Sequence, residues 1–246
     1  YVCDFSNHRL QIYNAKTMKF QRSFGVLGNG TTNFNCPTGV AADDENVFTV
    51  QDGNYRLQKW NVDMSVLEKS LLLELNTIGN TKLAVDQQNV YVFYSRLSDA
   101  TFLYTETWLE IRRKSDLSLV NKVRVMPENV STISSTYTVN GDIGINDDFI
   151  YLSFSNSPYN DGTYYLQKRL KNGVNAPLVK EVTSTNPIFS VASNGLSYKP
   201  KRKILYEGIG IDTAYIQFNF SENELDNSFK LFKLSLGVIE KPFRER

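Results

Sequence analysis

One histidine, His8, and two cysteines, Cys3 and Cys36, are all that the chain has of the residue types that most often ligate transition metals or move protons. That scarcity excludes a metal or acid–base centre assembled from several histidines, and any Ser–His–Asp triad would have to use His8 itself. Two cysteines are too few for a disulfide scaffold or a zinc site; they either pair with each other or stay as free buried thiols. No apolar run approaches the roughly 20 residues that span a bilayer as a helix. Charge of one sign is also missing: 27 Lys and Arg against 26 Asp and Glu leave a net +1. No global field therefore favours nucleic acid, a membrane surface or acidic substrates. Asn29-Gly-Thr31, Asn129-Val-Ser131 and Asn219-Phe-Ser221 match the N-glycosylation pattern, but in a chain this rich in Asn, Ser and Thr three matches are near chance, and the compartment stays open.

What the chain does have is aromatic and β-branched residues, with 14 Tyr, 15 Phe and frequent Val and Ile runs, the bias of a β-rich fold. It also has an internal repeat. Thr38-Gly-Val-Ala-Ala-Asp-Asp-Glu-Asn-Val-Phe-Thr-Val50 is matched 43 residues on by Thr81-Lys-Leu-Ala-Val-Asp-Gln-Gln-Asn-Val-Tyr-Val-Phe93. Ile143–Leu152 and Ile209–Phe218 are two further copies. Each reads as a short apolar strand, a polar turn and a second strand of alternating large apolar residues.

A third strand follows each hairpin: Arg9–Tyr13, Arg56–Trp60, Leu109–Arg113, Tyr165–Arg169 and Lys230–Leu234. A turn and a more weakly patterned fourth strand come next, as in Lys114–Leu119 leading into Asn121–Val125. Four strands per unit at about 45–65 residues are what the blades of a β-propeller require. Inner strands crowd a central channel, and Ala41, Ala84, Gly144 and Gly210 hold the equivalent inner position. The expected fold is all-β, one propeller domain over 1–246 with approximate blades 1–35, 36–78, 79–135, 136–185 and 186–246. Tyr1 falls in the second strand of the first unit, so that unit's inner strand is expected upstream in a longer or unprocessed chain. Residues 183–208 read either as an inter-blade insertion or as a degenerate hairpin of a sixth blade, leaving five or six blades.

Tyr1-Val-Cys-Asp-Phe-Ser-Asn-His-Arg-Leu-Gln-Ile-Tyr13 resembles the signature of the NHL-repeat propeller family, in which Asp is followed by Asn-His-Arg-Leu/Ile-Gln. Phe24-Gly25 and Phe34–Asp43 resemble the linker and first strand of the next NHL unit. Asp52-Gly-Asn-Tyr-Arg-Leu-Gln58 repeats the signature with one residue deleted and Tyr55 in place of His. The likeness covers about the first 60 residues; beyond them only the strand pattern persists. It implies a propeller that closes at six blades. The family includes a lyase with a His-ligated zinc, whose residues this chain lacks, and members that bind RNA through a basic face.

Asp4, Asn7 and Arg9, with Asp52, Asn54 and Arg56, read as turn-stabilising residues rather than a ligand ring, because Asp and Asn satisfy tight-turn backbone and Arg pairs with such an Asp. The acidic turns Asp43–Glu45 and Asn146–Asp148 lie between first and second strands, where Asp and Asn are ordinary. Lys199–Lys203 reads as a solvated loop, and Arg112–Lys114 and Lys168-Arg169 sit on third strands, where alternation divides neighbours between two faces. No catalytic residue, metal ligand or cofactor is assigned.

The informative departure is loop length between second and third strands. It is a few residues in the first two units, but extends over Ser95–Glu106, Ser155–Gly162 and Ser221–Asn227 in the later ones. These loops share one face with the inter-blade links. Phe102, Tyr104 and Tyr159, rimmed by Asp99 and Asp161, are the expected anchors for a protein partner or larger assembly. The expected function is a non-enzymatic scaffold. A calcium-dependent, lactonase-like hydrolase using carboxylates at the channel mouth and an RNA-binding domain are the alternatives.

Overall fold

The computed structural model describes residues 1–14, 17, 19–73, 81–97, 105–128, 142–156, 163–171 and 175–184. These form four successive antiparallel sheets, each a meander in chain order. The first has three strands, β1 (Val2–Asp4), β2 (Arg9–Tyr13) and β3 (Phe20–Phe24). The second is β4 (Pro37–Ala42), β5 (Asn46–Gln51), β6 (Arg56–Asn61) and β7 (Leu67–Leu72). The third is β8 (Lys82–Val85), β9 (Asn89–Leu97), β10 (Thr105–Arg113) and β11 (Leu119–Val125). The fourth is β12 (Ile143–Ile145), β13 (Phe149–Ser155), β14 (Tyr164–Leu170) and β15 (Leu178–Ser184).

The inner strands are neighbours between sheets, β4 beside β8 and β8 beside β12, while β1, the second strand of the first unit, lies beside β4. Sheets joined at their inner strands and stacked face to face are the blades of a β-propeller, the architecture the repeat predicts. The fifth unit, with Ile209–Phe218 and Lys230–Leu234, lies outside the described residues.

Small inner-strand residues have a more local cause than channel crowding. Ala41 is registered against Phe48, Ala84 against Tyr91 and Gly144 against Tyr151. All three rings are buried. A small residue opposite leaves room for each ring, and burying a side chain of this size contributes about 1.5–3 kcal/mol. Between blades, Leu10, Phe34, Trp60 and Met64 fill the first seam; Leu57, Leu83, Val92 and Leu117 the second; Phe93, Ile111, Ile150 and Leu152 the third.

Met64, Leu117 and Ala176 occupy equivalent third-to-fourth-strand turns and share an unusual backbone, with φ of 59°, 61° and 41°. Each is fully buried. The left-handed conformation costs about 1–2 kcal/mol for a residue with a Cβ, yet it turns each side chain inward as a plug for its seam.

Two expected loops are shorter than predicted. Ser95–Leu97 and Thr105–Glu106 are strand, paired as Ser95↔Thr107, Arg96↔Glu106 and Leu97↔Thr105. Cross-strand partners favour the extension: Arg96 and Glu106 form an ion pair at 3.3 Å and the Ser95 and Thr107 hydroxyls bond at 3.3 Å. Ser155 likewise ends β13, opposite Tyr164.

Candidate functional site

Up-and-down connectivity divides the loops between two faces. First-to-second and third-to-fourth turns lie on one, here the turn face. Second-to-third turns and inter-blade linkers lie on the other, the linker face, which is where the lengthened loops were expected to lie. Asp99, Phe102, Tyr104, Tyr159 and Asp161 are outside the described residues. The strands that flank them, β9 and β10, and β13 and β14, meet at the linker face through Leu97↔Thr105 and Ser155↔Tyr164.

The first-blade turn is built on Asp4. Its carboxylate accepts hydrogen bonds from Arg9 Nε, Gln11 Nε2 and Asn7 Nδ2, each at 2.8 Å. The Arg9 bond first, then those from Gln11 and Asn7, hold the carboxyl down at about 2. These are the signature residues, and they satisfy one another. In the second blade the turn is one residue shorter and the arrangement changes. Asp52 Oδ1 instead accepts the hydroxyls of Thr38 (3.0 Å) and Thr81 (2.8 Å), tying β4 to the head of β8, while Arg56 Nε turns to the Asn29 carbonyl at 3.3 Å. The expected Asp–Arg pair thus forms in the first repeat, and in the second Arg56 reaches the linker.

His8 has φ 54°, and its Nδ1 accepts the backbone N–H of Cys36 at 3.1 Å across the seam. That bond occupies the lone pair a general base would use on this nitrogen and makes the only histidine a staple between blades. Cys3 and Cys36 are free thiols. Burial pushes the Cys3 thiol up to about 12, against the pull of Lys82, so it stays protonated and unreactive. Lys82, Asp52 and Asp142 all act on Cys3 electrostatically.

Residues 25–36, linking blades one and two, are exposed or half-buried apart from Phe34. Gln58 anchors the linker from below: Nε2 donates to the Thr31 (2.6 Å) and Asn33 (3.2 Å) carbonyls. Its Oε1 accepts from Thr49, Gln51 and Trp60. Gln167, at the same third-strand position two blades on, donates to the Met126 carbonyl at 2.7 Å. In these two blades the third-strand glutamine is therefore a linker anchor. Gly25 (φ 121°) has no room for a Cβ, which would sit 3.0 Å from Arg9 Cα and Phe34 Cγ. Above these anchors Val26 and Leu27 stand 71% and 57% exposed, and Phe5 and Tyr55, in the second-to-third turns of the same face, are also exposed. Sequence reasoning missed these four. The signal available was an apolar pair placed between Phe24-Gly25 and a polar run, without a strand period to bury it.

Fold and face together define a propeller with one repetitive and one irregular face. No family model and no curated protein matches the chain. Among solved structures it is similar to hydrazine synthase of Kuenenia stuttgartiensis, with a TM-score of 0.52 and 10% identity over 82% of this chain. The match spans 56% of that chain, a little over half its length, and at this identity the likeness is one of fold. A putative exported protein of Bacteroides fragilis (TM-score 0.37, 10% identity, 74% of this chain and 67% of that one) also matches. So does the β-propeller domain of Cps50 (Swd1) from Myceliophteria thermophila (TM-score 0.35, 7% identity, 77% and 72%).

Proposed function

We propose that the chain is a non-enzymatic scaffold that holds a protein partner against its linker face. The observation that carries this reading is that Phe5, Val26, Leu27 and Tyr55, on the linker and second-to-third turns of this face, are exposed apolar side chains on a backbone fixed by Gln58, His8 and Asp52. Apolar groups presented on a preorganised segment lose little entropy on docking. The strands on either side of the expected anchors Phe102, Tyr104 and Tyr159 end at the same face, so these anchors would extend the surface. The mutual bonding of Asp4, Asn7, Arg9 and Gln11 gives the NHL-like signature a physical purpose and supports placing the chain with NHL-type propellers.

The test is affinity capture from the native source, comparing the parent chain with Val26→Asp/Leu27→Asp and with Val62→Asp/Val66→Asp on the turn face. All four positions are exposed in the fold, so stability should move by less than about 0.5 kcal/mol. A partner retained by the parent and the turn-face variant but lost from the linker-face variant supports the reading. Equal retention by all three removes it.

A further inference from the structure

On the opposite face a cleft of about 550 Å³ opens at the seam between blades two and three, lined by Glu45, Lys59, Gln87, Gln88, Arg113 and Ser115 among others. Its walls are pinned. Lys114 Nζ holds Asp43 Oδ2 at 2.5 Å and Glu45 Oε2 at 3.0 Å, while Lys59 Nζ holds Glu68 at 2.9 Å and approaches the Ser115 carbonyl at 3.5 Å. Lys59 and Lys114 are thus neutralised in place. Arg113 is not: among the described residues its guanidinium has no hydrogen-bond or ion-pair partner, and the Asp116 carboxylate, on which its field acts, already binds the Ser118 N–H at 2.9 Å. The side-chain amides of Gln87 and Gln88 are likewise unengaged among the described residues.

These are the positions where the third blade departs from its siblings. The first-to-second turn carries Asp44-Glu45 in blade two and Asp147-Asp148 in blade four, but Gln87-Gln88 in blade three. The residue closing the third-to-fourth turn with its N–H is Asn61, Arg113 or Leu170 in the three blades. Blade three alone removes two acids and adds a guanidinium, at the one seam with the cleft described above. Places where a repeat breaks its own rule without a structural return mark function.

We propose that this cleft binds a small polyhydroxylated carboxylate, of the sugar-acid class. One unpaired guanidinium matches one carboxylate through its planar fork. Amides that both donate and accept suit hydroxyls, and Glu45 on the far wall accepts a hydroxyl while repelling a second anionic group. The volume is that of a small-molecule site.

Titration of the intact chain with sodium glucuronate, glucose and sulfate, followed by calorimetry or amide chemical shifts, tests this. Glucuronate is expected to bind saturably, with glucose and sulfate both weaker. Arg113→Gln should weaken glucuronate roughly tenfold or more, and Gln88→Glu, which restores the acid of the sibling turns, should do likewise. Both positions are exposed, so an unchanged melting temperature certifies the fold. Absence of saturable glucuronate binding, sulfate binding as tight as glucuronate, or undiminished binding by Arg113→Gln would each overturn the proposal.

Discussion

The two faces of this propeller follow different rules. On the turn face the chemistry repeats. Asp43, Asp86 and Asn146 each accept two backbone N–H groups of their own turn, at 2.7–3.0 Å. A lysine after the third strand then reaches back to the preceding blade: Lys114 to Asp43, Lys171 to Asp86 at 2.7 Å. A left-handed residue plugs each seam beneath. On the linker face the first two turns already differ in the partners of Asp4 and Asp52, and the linker between them exposes apolar residues. Repetition marks what holds the blades together, and its loss marks where other work is done.

The sharpest way to break the comparison is to cut one clasp and leave its sibling. Asp86 and Lys171 expose only 8% and 14% of their side chains, whereas Glu45 beside Lys114 exposes 77%. Lys171→Ala strands a nearly buried carboxylate and should cost about 3 kcal/mol; Lys114→Ala should cost less, about 2 kcal/mol, because Asp43, at 18% exposed, is less covered than Asp86 and Glu45 lies in solvent. Urea melts decide between them, and equal losses would show that burial does not grade the clasps. The acid limb adds a check. Burial alone would raise the Asp86 carboxyl, but the Lys171 ammonium and the turn N–H groups outweigh it and hold the carboxyl below its ordinary value. A depressed folded value means that the stabilisation is present at neutral pH and disappears as pH falls through that value. Lys171→Ala should therefore flatten the acid dependence of stability, measured as the melting temperature between neutral pH and the carboxylate range.

Next in size is the plug. Leu117→Ala should destabilise by about 2 kcal/mol through the cavity it leaves in the second seam. Leu117→Gly removes a further methyl but also the left-handed penalty of about 1 kcal/mol, so it should unfold no earlier than the alanine variant. A glycine variant markedly weaker than alanine would mean the backbone at φ 61° is not strained.

Strand order, the small inner residues and the third strands were legible because they rest on two-residue periodicity and on a repeat that registers itself. The aromatic opposite each small residue was printed in the same repeats, as Phe48, Tyr91 and Tyr151, but its pairing with Ala41, Ala84 and Gly144 needs the hairpin register. The plugs were hidden because Met64, Leu117 and Ala176 share neither residue type nor the glycine that left-handed turns favour. Gln58 was visible only as part of a signature, since nothing local tells a glutamine bound to a linker 25 residues earlier from a solvated one. Of the candidate site, loop lengths point to the linker face, whereas the exposed Val26 and Leu27 were not legible, because exposure of an apolar pair depends on which strands fail to cover it.

The smallest effect tests the linker face at its two matching turns. His8 and Tyr55 share φ 54° at the same point of the signature. Asn tolerates this backbone better than either. In His8→Asn that gain competes with the loss of a cross-blade bond to Cys36 N–H, a net cost of about 1 kcal/mol. In Tyr55→Asn no such bond is lost, because Tyr55 contributes its backbone carbonyl to Leu73 N–H and, 36% exposed, makes no side-chain hydrogen bond among the described residues. The second variant should gain about 0.5 kcal/mol, a rise of roughly 1–2 °C for a chain of this size. Opposite signs in paired calorimetric melts would show that one backbone turn has been kept in both blades while the side chain's task has been kept in only one; the same sign for both would reduce His8 to a turn residue and leave the seam to its apolar contacts.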